Sequence, residues 1–385
     1  VKLFDYLSGY TWNNGNAVLD GELVTGLNQR GLPITNLSWT KNTTSNIGFD
    51  LTMFNNRLKI TADAFRKDIT GVPAARYDVL LPSEVGYSLP NENLNKQAYI
   101  GAEGMVTWTD HIGDLNYTVS GNFTFSRYKS IETYKPRFNN SWDEYRNSAE
   151  GRWGGIYWGY QVIGQFQSEE EIRNYPVNLD GNNNRTLLPG DFIYKDVNGD
   201  GIINGMDERP IGYPEGWAPI MSFGGNIGLA WKGIDLNIDL SGGAMQGWRQ
   251  NYELANAYHG NGNSPVYLLE DRWHRADLYD PDSEWIPGRY PAIRKGEFSY
   301  NNKNSDFWLH NVRYLRIKNL EVGYSLPAQL LRPIRAQKVR VYANVSNLCS
   351  FDNVGKFGVD PEITAAAAVV YPQQRTFLLG FNITY

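Results

Sequence analysis

The sequence predicts an all-β chain arranged as a transmembrane antiparallel β-barrel. Three observations lead there: two-residue alternation sustained over long segments, segment lengths that suit a bilayer, and connections that alternate between very short and very long. A length of 385 residues fits two or three ordinary domains or one large all-β unit. No run approaches the ~18 consecutive apolar residues of a membrane-spanning helix, which excludes a helical membrane protein. The net charge of −5, from 36 Lys+Arg against 41 Asp+Glu, with the basic residues scattered, gives no footprint for nucleic acid. Cys349 is the single cysteine, which excludes a disulfide framework and a cysteine zinc site.

The elements follow in order. Segments 37–54 and 57–70 (Leu58, Ile60, Ala62, Ala64) are joined by the turn Phe54-Asn55-Asn56-Arg57. In 97–109, Ile100, Ala102, Val106 and Trp108 continue the set. Segment 115–129 sets Leu115, Tyr117, Val119, Phe123 and Phe125 against Asn116, Thr118, Ser120, Asn122 and Thr124. Segment 219–233 carries Met221, Phe223, Ile227, Leu229 and Trp231, and 234–246 places Ile234, Leu236, Ile238 and Leu240 opposite Asp235, Asn237, Asp239 and Ser241. Within 308–326 the phase slips between Leu315–Ile317 and Leu320–Leu326, predicting a bulge near Lys318–Asn319. Segment 338–347 and the final stretch Phe377, Leu379, Phe381, Ile383, Tyr385 complete the series. These segments run roughly 12–18 residues, above the ~5–6 of globular strands and at or beyond the ~9–11 of a tilted membrane strand.

Tight turns alternate with excursions over 71–95, 130–218, 247–307 and 349–372. Short turns on one rim and long loops on the other is the outer-membrane pattern, periplasmic and extracellular respectively. With the C-terminus periplasmic, the strands count consistently up and down, residues 2–12 supply one further ascending strand, and the total is about ten. Parity keeps Arg152–Gln167 out of the membrane, inside a loop lobe. The chain then divides into barrel strands with loops (1–129), a large extracellular lobe (130–218) and C-terminal barrel strands (219–385). Strand aromatics such as Trp39, Trp108, Trp231 and Phe381 are read as lipid-facing or girdle residues. The competing fold is a secreted β-sandwich, because alternation alone does not say whether the apolar face meets lipid or a core.

Several stretches carry a family resemblance. They are Pro189-Gly190-Asp191-Phe192-Ile193-Tyr194-Lys195-Asp196-Val197-Asn198-Gly199-Asp200-Gly201-Ile202-Ile203-Asn204, then Asp306-Phe307-Trp308-Leu309-His310-Asn311-Val312-Arg313-Tyr314-Leu315-Arg316-Ile317-Lys318-Asn319-Leu320. Shorter matches are Asn55-Asn56-Arg57-Leu58, Arg272-Trp273 before a Pro/Asp-rich loop, and Val341-Tyr342-Ala343-Asn344-Val345-Ser346-Asn347-Leu348. Together they resemble SusC/RagA-type TonB-dependent transporters, and the resemblance implies a barrel of about 22 strands, an internal plug, a SusD-like lipoprotein lid, and TonB-dependent import of glycans or oligopeptides across the outer membrane. Neither a plug nor a TonB-box segment is found here. The chain therefore reads as the C-terminal barrel portion, needing the remaining strands, the plug and TonB as partners.

Candidate sites are weighed against plainer roles. Asp196, Asn198, Asp200, Ile202 (through its carbonyl), Asn204 and Asp207, with Gly201 at the sharp turn, follow calcium-loop spacing. Asp stands at the twelfth position where Glu usually ligates, and no helix pair flanks the loop; the expected role of Ca2+ is structural. The alternative is a metal-free polar turn. Trp158, Tyr160, Trp248, Trp273, Trp285 and Tyr290 are candidate substrate-stacking aromatics, the alternative being that they pack the loops on themselves. Phe381 and Tyr385, ending an alternating strand, resemble the signal read by the barrel-assembly machinery. His111, His259, His274 and His310 form no metal spacing, and Glu169-Glu170-Glu171 reads as a solvated or helix-starting patch. No catalytic motif occurs, so no enzyme activity is expected. In the alternative reading the sandwich binds or cleaves glycans and contains calcium.

Overall fold

A computed structural model describes residues 7–12, 17–29, 31–34, 36–76, 78–216, 218–294, 298–331, 333, 335–362 and 373–385. Nine long strands form one antiparallel sheet in simple sequence order. We label them β1 (Lys41–Met53), β2 (Leu58–Ala74), β3 (Glu92–Ile112), β4 (Leu115–Glu132), β5 (Met221–Trp231), β6 (Ile234–Arg249), β7 (Leu309–Ser325), β8 (Lys338–Asp352) and β9 (Thr376–Thr384). Each lies where the alternation predicts a strand. The tenth segment behaves differently: Tyr10–Trp12 pairs with Leu27–Gln29 in a separate two-stranded sheet, and residues 1–6 lie outside the described residues. Among the described residues, β1 and β9 are the sheet's edges.

The turns explain the pairing. β1 and β2 join through Phe54, Asn55 and Asn56, all at positive φ, and β5 and β6 through Lys232 (φ 45°) and Gly233 (φ 88°). Two successive positive-φ residues make the hairpin turn whose twist matches that of the strands. The predicted bulge is present. Asp239 pairs with Asn319 but Leu240 with Ile317, so Lys318 is the extra residue, and β8 shifts register at the same level.

The chain packs as two units. One comprises Val1–Ile47, Asp63–Ala102 and Ser126–Gly154; the other comprises Gly48–Ala62, Glu103–Phe125 and Gly155–Tyr385. The 130–218 excursion is thus divided at Gly154. In the first unit, helix Ser141–Asn147 is capped by Asn140, whose side chain accepts from the Asp143 amide at 2.8 Å. Trp153 lies under both Arg127 and Lys129, 5.5 and 5.4 Å from its ring centre. In the second unit, 155–218 and 250–308 share one core of Phe166, Phe192, Tyr194, Leu268, Tyr290 and Trp308. The aromatic stretch placed inside a lobe forms small strands there: Tyr157–Gly159 pairs with Arg209–Gly212, and Val162–Gln165 with Phe192–Tyr194. Glu169–Asn174 is a short helix capped by Ser168, so the three glutamates start a helix.

Gly190 sets the entrance to this core. It has φ 91°, and a Cβ there would run into the Trp273 indole. Gly190→Ala therefore combines backbone strain of about 1–3 kcal/mol with a collision against a buried ring. The lobe should lose its resistance to limited proteolysis, while the sheet, read by circular dichroism in detergent, should be unchanged.

Candidate functional site

The register of the long strands sorts their side chains into rows. Three apolar rows cross six strands: Leu115, Trp231, Ile234, Tyr324, Val341, Phe381; then Tyr117, Leu229, Leu236, Val322, Ala343, Leu379; then Val119, Ile227, Ile238, Leu320, Val345, Phe377. Their outer members are exposed, Leu379 by 85% and Phe381 and Phe377 by 70% each. Alternating with them, on the opposite face by the two-residue period, are polar rows. One runs Thr118, Gly228, Asn237, Glu321, Asn344; another runs Ser120, Asn226, Asp239, Asn319, Ser346.

The polar rows are knitted together across the strands. The Asn226 amide donates to Asn237 (2.8 Å) and Asp239 (2.6 Å). Asn319 donates to Asp239 at 3.3 Å, and Asn344 donates to Asn319 at 2.8 Å and Glu321 at 3.2 Å. Arg340 closes the network on Glu321 (2.7 Å) and Asp235. Cross-strand pairs are the units by which a sheet fixes its register, so this face is a stiff, hydrogen-bonded polar wall. The alternation marks Asp235, Asn237 and Asp239 as polar, but their partners on β5, β7 and β8 become visible only with the register.

Further along the same face, Arg316 lies between Ser241 and Ser350. It is only 4% exposed because the loop after β8 folds over it. Asp360 and Glu362 accept from its guanidinium at 2.6 and 2.9 Å, and Lys318 donates to Glu362 at 2.7 Å. The same loop buries Val354 and Phe357 against Trp248 and Val312. A wall residue, an ion pair and an apolar plug thereby tie this loop down onto the polar face.

The lobe holds its own buried charge. Asp191 is fully buried and is met by Arg294 and by Asn301 at 2.7 Å. Burial nonetheless raises its carboxyl above the usual range. Lys303 sits 5.0, 5.3 and 5.0 Å from the rings of Tyr160, Tyr194 and Tyr300, and burial pulls its ammonium below the usual lysine range. The Tyr160 hydroxyl is pushed up to about 12 by burial.

These contacts place the candidate stacking aromatics. Trp248, Trp273 and Tyr290 are 5%, 3% and 4% exposed. Trp248 stacks on His310 at 5.4 Å, Tyr290 on Trp308 at 6.0 Å, and Trp273 covers Gly190. Their ring faces pack on the lobe and its floor, as the plainer of the two roles requires. Tyr160 is half-buried beneath Lys303, and Trp285 is half-buried with Arg275 4.5 Å above its ring. Trp158 is half-buried in its short strand opposite Pro210. Phe381 and Tyr385 are exposed.

The acidic loop is closed by its own amides. Asp196 accepts from Gly199 (2.7 Å) and Gly201 (2.8 Å), Asn198 from the Asp200 amide (3.1 Å), and Asp200 from Ile202 (2.9 Å). Asp207, 1% exposed, accepts from Val197 and Asn204, both at 2.9 Å. The donors are hard oxygens in the order that calcium uses, but Asp207 is occupied as a cap on both oxygens. Among the described residues no group of three or more His, Cys, Asp or Glu side chains is gathered to hold a metal.

No protein-family model matches the chain. TonB-dependent receptor P3 of Formosa agariphila is 25% identical over 398 residues, spanning 96% of this chain and 36% of that protein. TonB-dependent receptor SusC of Bacteroides thetaiotaomicron is 25% identical over 406 residues, spanning 99% and 36%. Among solved structures, the RagAB peptide importer in its open-open state superposes on 100% of this chain and 38% of its own, with TM-score 0.68 and 19% identity. Along nearly its whole length the chain is similar in sequence to these receptors and in fold to RagAB, and it spans a little over a third of the relatives it matches.

Removing one partner of a buried ion pair costs about 3–5 kcal/mol, because the other charge is left uncompensated. Arg316→Met should therefore release the 353–362 loop, seen as new protease cleavage there. Combining it with Asp360→Asn and Glu362→Gln should recover much of the protection.

Proposed function

We propose that the chain is the C-terminal barrel portion of an outer-membrane, TonB-dependent importer. The observation that carries this reading is the set of three registered apolar rows across six strands, backed by knitted polar rows across five. In lipid every backbone group must be paired and the sheet closed. The unpaired edges at β1 and β9 then meet strands outside this chain, the apolar rows face lipid, and the polar rows face the lumen. The short turns lie in the periplasm with the C-terminus, and the long loops lie outside the cell. The names of the relatives support receptor and import roles; a secreted sandwich would cover the apolar rows with a second sheet. The cargo is an oligosaccharide or an oligopeptide, and the partners are a plug, TonB and a SusD-like lipoprotein. Of these, RagAB is named as a peptide importer.

Leu379→Arg tests the outward face. A positive charge near the bilayer midplane costs about 2–4 kcal/mol, so the full-length receptor in phospholipid should unfold at markedly lower denaturant than the parent. Leu379→Arg unfolding at the parent's concentration would contradict the reading.

We also propose that Ca2+ braces the Asp196–Asp207 loop, through Asp196, Asn198, Asp200, the Ile202 carbonyl, Asn204 and Asp207. Hard oxygens in this order suit the ion, and each Asp207 oxygen, accepting one amide, keeps a lone pair for it. Calcium should raise the melting temperature of the full-length receptor, and Asp200→Ala should abolish the rise. A melting temperature indifferent to calcium and to chelator would dismiss the ion.

A further inference from the structure

The apolar face of β4 ends in two cations. By the two-residue period, Leu115, Tyr117, Val119, Phe123 and Phe125 are followed on the same face by Arg127 and Lys129. Ten residues at ~3.3 Å each carry a strand about 33 Å, which a tilt of roughly 40° reduces to about 25 Å, the height of a barrel's apolar band. Leu115 to Phe125 therefore fills the band. Arg127 and Lys129 emerge at its outer edge, at the depth of lipid headgroups.

The chain builds on this pair. Residues 152–154 run alongside the end of β4: the Ser130 amide donates to the Arg152 carbonyl at 2.9 Å, and the Gly154 amide to the Tyr128 carbonyl at 2.8 Å. Lys129 and Trp153 are thereby direct antiparallel partners, and residues so opposed share a face. Gly154 leaves room for the Tyr128 ring, which a Cβ there would strike. The Arg127 guanidinium and the Lys129 ammonium lie 5.5 and 5.4 Å from the centre of the Trp153 ring, and Arg127 also donates to the Gly154 carbonyl at 3.5 Å. The acids closest in sequence are engaged elsewhere: Glu132 pairs with Lys96, and Glu150 accepts from the Thr133 amide at 3.3 Å. Arg127, Lys129 and Trp153 are half-buried, so all three remain open to a ligand.

An indole at the edge of the apolar band is in its preferred medium, and Arg and Lys lay their stems on apolar surface while their heads reach outward. Two cations converging on one ring favour an anion of more than one charge. A phosphomonoester carries about −1.5 to −2 at neutral pH. The guanidinium fork matches its oxygens, and the ammonium adds a point charge. With the long loops outside the cell, the leaflet at this depth is the outer one, which in an outer membrane is built of phosphorylated glycolipid.

We propose that Arg127, Lys129 and Trp153 form a site for the phosphate of an outer-leaflet glycolipid, the two cations holding phosphate oxygens and Trp153 setting them at headgroup depth. The inference rests on the outer-membrane reading and adds a lipid ligand on the outward face.

The test uses the full-length receptor in nonionic detergent, titrated by native mass spectrometry with monophosphorylated lipid A, with the same lipid A after phosphatase treatment, and with phosphatidylglycerol; inorganic phosphate is the competitor. The parent should hold the phosphorylated lipid A tenfold or more tighter than either other lipid, and inorganic phosphate should not displace it. Arg127→Gln combined with Lys129→Gln should lower its binding to that of the dephosphorylated form. Lys129→Gln alone, which carries the test should the double variant misfold, should weaken it threefold or more. Lys232→Gln, in the β5–β6 turn at the other end of the strands, should stay within twofold of the parent. Equal binding of the phosphorylated and dephosphorylated lipids, equal binding of phosphatidylglycerol, displacement by inorganic phosphate, or variants that bind like the parent would each overturn the site. Failure of the outer-membrane reading is seen separately, as absence of the parent from the outer-membrane fraction and loss of its heat-modifiable migration.

Discussion

A strand in a bilayer has no water to satisfy its amides, so each N–H and C=O must find a partner on a neighbouring strand. In the proposed outer-membrane setting that requirement governs this molecule. It accounts for nine strands running uninterrupted in sequence order. It also accounts for hairpin turns built from residues at positive φ, and for a bulge that leaves only Lys318 out of the ladder between β6 and β7. Once the ladder is fixed, the two-residue period sorts every side chain to one face or the other. The apolar and polar rows are consequences of the backbone pairing.

The polar face and the loops solve a second problem, that of holding long connections still. The sheet supplies anchors: Arg316 for the loop after β8, and Trp248, stacked on His310, as a floor for Val354 and Phe357. The lobe has its own solution, burying Asp191 with Arg294 and Asn301 and setting Lys303 among three tyrosine rings.

Strands were legible in the sequence wherever apolar and polar residues alternated without interruption, as in Ile234–Ser241, and even the bulge showed as a phase slip at Lys318. The edge was less legible. Tyr10–Trp12 is short enough to pair with any nearby strand, and it pairs with Leu27–Gln29. Site residues were harder still. Trp248, Trp273 and Tyr290 carry the same composition signal whether they stack on a ligand or on His310, Gly190 and Trp308; only packing separates the two. Asn226, Asn319 and Asn344 give no signal at all until the register brings them together. The Asp196–Asp207 spacing was plain, but the inward turn of Asp207 depends on the amides of Val197 and Asn204, which no spacing rule reports.

The central claim is that one face of this sheet meets lipid and the other does not. The most direct measurement places single cysteines in the full-length receptor, with Cys349 replaced by Ser, at Val341 and Phe377 on one face and at Asn237 and Asn344 on the other. A fluorophore is attached at each before reconstitution into brominated phospholipid. The account predicts strong quenching by the lipid at Val341 and Phe377 and little at Asn237 and Asn344. Equal quenching at all four positions, or none at Val341 and Phe377, would contradict it.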